Sequence, residues 1–157
     1  MTINDRDFGP MQFDGSEWIL ESRVVFNGTE IPIQIEPEEH ASESASGISL
    51  LQRAALRFAL SLSLDVLEAS APAVVQNYEV YREMMGDEEM PPLQKPVDVW
   101  QQVEPGYISI PPHGEVTTPT FLLFAECDWD PEHGLMVRFR DGIADASAQQ
   151  SELGIKD

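Results

Sequence analysis

Between Ile48 and Met85 apolar residues recur at helical spacing, whereas beyond Pro96 they alternate, and this change of period points to an α+β fold. In the first region Leu51, Ala55, Phe58, Leu62 and Val66 share a face, with Arg53, Arg57, Ser61 and Glu68 on a polar stripe. The pattern predicts a core helix over 48–69, capped by Ser46 or Ser49. A second helix is predicted over 72–85, starting after Ser70 with Pro72 in its first turn, and burying Val74, Val75, Tyr78, Tyr81 and Met85. The loop "GDEEMPPLQKP" ends it. Four strand-like runs follow, "VDVWQQV", "GYISI", "TFLLFAEC" and "LMVRFR", separated by turn residues.

Upstream, "WILESRVVFNGTEIPIQI" (18–35) places two β-prone runs around Asn27-Gly28, a pair that tolerates positive φ and suits a type I′ hairpin. Ile31, Ile33 and Ile35 alternate as a buried face. Pro32 has no N–H for a ladder, so this strand is expected at an edge or with a late start. The expected architecture is a largely antiparallel sheet of about six strands, an N-terminal hairpin plus four C-terminal strands, covered on one face by two helices. A chain of 157 residues fits one domain, with 1–16 and 143–157 as irregular or frayed tails. Trp18 and Trp100 are expected as core anchors, Met84, Met85 and Met90 as packing, and His40 and His113 as solvent-exposed.

The formal charge is −19, from 28 acidic and 9 basic residues. Such a field disfavours nucleic-acid phosphates and anionic membranes and leaves open a basic partner or simple solubility. A high-salt habitat is another source of acidity. One cysteine, Cys127, forms no internal disulfide. The N-terminus lacks the basic-then-apolar order of a signal peptide, and Arg53, Arg57 and Asp65 interrupt the longest apolar stretch. A cytoplasmic protein without a membrane span is therefore expected, its oligomeric state left open.

The densest chemistry lies in "AECDWDPEHGL", residues 125–135. As a connection between "TFLLFAEC" and "LMVRFR" it explains much of itself. Asp128 and Asp130 can accept backbone N–H groups, Pro131 presets a turn, and Gly134 supplies a left-handed position. Phe121, Leu123, Ala125 and Cys127 then face inward with Leu135, Val137 and Phe139, while Glu126, Arg138 and Arg140 face outward. A metal site is the rival reading. Asp128, Asp130 and Glu132 alternate like the start of an EF-hand loop, but His133 stands where its glycine belongs and Phe139 where its final glutamate belongs. Zinc would use Cys127 with His133, and no CxxC pair supports it. Catalysis by Cys127 would need exposure and a base such as His133 within reach. No complete cofactor signature occurs, so none is expected beyond calcium or zinc at these residues.

"ECDWDPEHGL" followed by "VRFRDG" resembles a family of uncharacterised bacterial domains with a C-terminal CDWDPEHGL-type motif. The early tryptophan strand, the long helix beginning near Gln52 and a tyrosine-containing second helix extend the resemblance over residues 18–142. It labels a family rather than a chemistry. By analogy, small acidic domains of this kind are often immunity proteins of toxin systems. The leading expectation is a non-enzymatic protein-binding module, with Glu36, Glu38, Glu39 and Glu43 in one acidic loop and Asp87, Glu88 and Glu89 in another as contact regions. The alternatives are a metal- or thiol-dependent enzyme centred on Cys127–His133, and a nucleic-acid mimic that blocks a DNA-binding protein.

Overall fold

The computed structural model describes residues 1–38 and 46–156, so His40, Glu39 and Glu43 lie outside the described residues. In chain order the elements are β1 (Thr2–Asp5), β2 (Gly9–Phe13), β3 (Trp18–Leu20), β4 (Val24–Phe26), β5 (Thr29–Ile31), β6 (Ile33–Ile35), α1 (Leu50–Leu60) and α2 (Leu64–Met85). A 3-10 helix (Pro96–Gln102) follows, then β7 (Val103–Ile110), β8 (Thr120–Cys127), β9 (Leu135–Arg140) and β10 (Ile143–Ala148). One sheet runs in the order β1-β2-β3-β6-β7-β8-β9-β10, and β4-β5 form a separate pair. Among the described residues only β6 and β7 pair in parallel; the other neighbours are antiparallel. The fold is α+β, with a mostly antiparallel sheet.

Asn27 and Gly28, at φ 51° and 79°, form the expected hairpin turn, here between β4 and β5. The Asn27 amide donates to the carbonyls of Trp100 at 2.7 Å and Val103 at 3.0 Å, tying the hairpin to the 3-10 helix. Pro32 divides the predicted second strand in two. β6 starts late, after the proline, but it is no edge: it lies between β3 and β7, and the Pro32 carbonyl accepts the Ile108 N–H at 3.0 Å.

The helix boundary differs from the expected one. The break falls at Ser61–Ser63, where Ser61 ends α1 and the Ser63 side chain caps α2; Pro72 is inside α2. The "SLS" run therefore supplies both caps, and the axes bend by 106° there. Pro72 lacks a helical N–H, yet its neighbours hold this turn to β10: Ser70 Oγ accepts the Ala144 N–H at 3.0 Å and Ser147 Oγ donates to Ala73 O at 2.6 Å. Ser49 caps α1 in a reciprocal box with Gln52. Gln52 is buried because its amide also donates to Glu36 O at 2.6 Å and Pro111 O at 3.2 Å.

Further corrections concern segments whose burial depends on distant partners. "VDVWQQ" is the 3-10 helix rather than a strand, with the Trp100 indole donating to Leu67 O at 2.8 Å. Residues expected in irregular tails form β1, β2 and β10. The N-terminal hairpin is held from α1 by Arg53, whose guanidinium grips both oxygens of Asp5 at 2.8 and 2.9 Å. Leu153 and Ile155 cover the outer face of β8 and β9, where Leu122, Met136 and Ile155 form a second apolar cluster. Arg138 faces outward as expected, yet it is buried beneath these residues, paired with Asp145 and donating to Gly154 O at 3.2 Å. His113 is likewise buried. The principal core joins the other face of the sheet to α1, α2 and the 3-10 helix, with Phe121, Leu123, Ala125 and Cys127 facing Leu135, Val137 and Phe139 as their alternation requires.

No single helix among the described residues is long and apolar enough to cross a membrane.

Candidate functional site

β8 and β9 bring the ends of the motif turn together, and its backbone is tied on several sides. The Asp128 N–H donates to Gln102 O at 3.0 Å, and the Gly134 N–H to Asp130 O at 3.0 Å. Gln150 covers the turn, its backbone N–H donating to His133 O at 3.3 Å and its amide to Ala125 O at 3.0 Å. From α2, Asn77 Oδ1 accepts the Trp129 indole N–H at 2.8 Å, and Tyr78 meets the Trp129 ring edge-on at 5.3 Å between centroids. One helical turn further along, Tyr81 donates to Asp130 Oδ2 at 2.5 Å.

Asp130 is the hub. Its Oδ1 accepts the His133 backbone N–H at 3.1 Å and lies 3.1 Å from His133 Nδ1. Burial pushes the Asp130 carboxyl up, but the hydrogen bonds from Tyr81 and His133 outweigh it, so the carboxyl titrates below its ordinary range. A carboxylate oxygen only accepts, so His133 Nδ1 carries the hydrogen in this contact. The hydrogen bond to Asp130, followed by burial, holds the Tyr81 phenol up at about 12. Cys127 is buried, 4% exposed, and burial pushes its thiol up to about 11. A thiol so placed is a small core residue.

Within the turn Cys127 and Asp130 are buried, while Asp128, Glu132 and His133 stand exposed, His133 still in contact with Asp130. Among the described residues, no three His, Cys, Asp or Glu side chains gather where they can hold a metal ion. Asn77 and Tyr81 were not anticipated as partners of the turn. Their signal was a polar and a phenolic side chain four residues apart on one helix face.

The acidic contact regions divide into engaged and free groups. Glu38 holds the fold: its Oε1 accepts the N–H groups of His113 at 2.6 Å and Gly114 at 3.0 Å. Asp87 pairs with Arg82. Glu36, Glu88 and Glu89 are exposed and make no ion pair among the described residues. The arginine ion pairs draw only on Asp5, Asp7, Glu79, Asp87 and Asp145, so most described carboxylates have no cationic partner. The negative field is left largely uncompensated.

No curated protein matches the chain, and no solved structure matches it. The family described as "Domain of unknown function (DUF6985)" matches residues 7–153, and the chain belongs to that family.

Proposed function

We propose that the chain is a non-enzymatic module that holds a basic protein partner through its acidic surface. The observation that supports this is the large excess of exposed carboxylates without cationic partners, which favours encounter with a positively charged surface and discourages wrong partners. Glu36, Glu88 and Glu89 are free to meet such a partner. In this reading the protein works in the cytoplasm, and a basic toxin domain is a partner of the right chemistry. A thiol-dependent reaction has less support, because Cys127 is buried and its thiol is held protonated.

The test is affinity capture from the native lysate at low and moderate salt, followed by titration of the retained protein, purified, against the full chain. A single basic protein bound in near-equal amount, with affinity falling as salt rises, supports the module. Retention of nothing specific at either salt removes it.

A further inference from the structure

A cleft of about 340 Å³ opens between the β4–β5 hairpin and the elbow that joins α1 to α2. Val25, Asn27 and Gly28 line one side, and Leu62, Leu64 and Leu67 the other. None of the residues lining it is charged. Leu64 is 66% and Val25 62% exposed. Scattered apolar residues on a surface need no explanation, but here they converge on one concavity.

The cleft is also firmly built. Asn27 fixes the hairpin to the 3-10 helix, and Ser61 and Ser63 fix the elbow by ending one helix and capping the next. Its two walls are therefore held in place before anything binds, which lowers the ordering cost of association.

The charges in the adjoining sequence are mostly negative. Glu30 is the cross-strand partner of Val25, and Asp65 and Glu68 are exposed in the first turns of α2. With Glu21 they outnumber Arg23. None of Glu30, Asp65 and Glu68 makes an ion pair among the described residues. A second copy of the chain would set carboxylates against carboxylates, each copy carrying −19.

We propose that this cleft docks an apolar side chain from a partner protein whose flanking residues are basic. The proposal rests on the binding-module reading above and deepens it: the acidic field brings the partner in, and the apolar cleft fixes where it sits.

The full chain, labelled at its methyl groups, is titrated with defined peptides and read by NMR. The first has a Leu-Leu centre flanked by lysines; the second has the same centre flanked by glutamates; the third has a Ser-Ser centre flanked by lysines. The expected result is saturable shifts of the Val25, Leu62, Leu64 and Leu67 methyls with the first peptide alone. Leu64→Ser and Val25→Ser are each expected to weaken that binding by about tenfold. Both side chains are mostly exposed, so the fold tolerates either change, and each variant serves if the other does not fold. Equal binding of the Ser-Ser peptide, or shifts away from the cleft, overturns the docking site and leaves the acidic module standing. Concentration-dependent shifts of the same methyls without peptide identify a second copy as the occupant and overturn the proposal. Absence of binding by both lysine peptides overturns the cleft and the acidic module together.

Discussion

Tyr81 Oη donates to Asp130 Oδ2 at 2.5 Å, so a residue late in α2 holds the carboxylate around which the β8–β9 turn is folded. Asp130 is nearly inaccessible, and hydrogen bonds to a buried charge are among the stronger polar contributions to stability. Tyr81→Phe is expected to cost about 1–3 kcal/mol in urea unfolding, and Asp130→Ala more, because it also strips the His133 N–H of its acceptor. The carboxyl titrates below its unfolded value, so its contribution is present above that value and lost as pH falls through the folded one. Unfolding measured across this acid range should show the loss in the wild type and a smaller one in Asp130→Asn.

Cys127 is expected to be inert in the native state. Its thiol, 4% exposed and held up at about 11, presents almost no thiolate at neutral pH. Alkylation should follow the opening of the structure, slow without denaturant and fast beyond the unfolding midpoint. Rapid native labelling would mean that this strand end opens far more readily than its packing implies.

His113 makes stability depend on pH, whereas a surface histidine whose pKa is the same folded and unfolded adds no slope. Its Nε2 accepts the Thr120 N–H at 3.0 Å, and its Nδ1, 3.1 Å from Pro111 O, carries the hydrogen of the neutral ring. Burial lowers its pKa below 6.5, against the opposing effects of the Pro111 carbonyl and the Glu38 charge. The unfolded chain therefore binds the proton first as pH falls. Stability should be level above pH 6.5 with respect to this group and decline below it, and His113→Gln should remove that slope from a series of denaturant titrations.

Gly134 tests the turn from its backbone. Its φ is +70°, and an added Cβ would come 2.7 Å from Gln150 Nε2 and 3.0 Å from Ala125 O. Gln150 can swing aside, but the strand carbonyl cannot. Gly134→Ala is expected to cost about 1–3 kcal/mol by equilibrium unfolding, with little change in the rest of the amide spectrum.

Local chemistry made several elements legible. Asn27-Gly28 set its turn through positive φ, Ser49 was one of the two expected helix caps, and the alternation of residues 121–127 and 135–139 placed each inward face. What sequence hid were features decided by distant partners. Pro72 looked like a helix start because the contacts of Ser70 and Ala73 with β10 cannot be seen along the chain. The N-terminal strands read as a tail because Asp5 and Arg53 are far apart in sequence. "VDVWQQV" has a strand-like composition, yet Trp100 is drawn inward by Leu67 and Asn27. In the motif, Asp130, Pro131 and Gly134 were readable as turn residues. The helical partners Asn77 and Tyr81, which make the turn a clamp, were not.

If the motif serves to clamp the turn to α2, neither a metal nor its removal should alter the fold, since Asp130 already has both oxygens engaged by Tyr81 and His133. The direct measurement is the melting temperature of the full chain as isolated, after exhaustive chelation, and with zinc or calcium added in slight excess. The clamp predicts the same midpoint in all conditions. A midpoint that falls with chelator or rises with one metal, and stops doing so in Asp130→Asn, would make the turn a ligand site and contradict it.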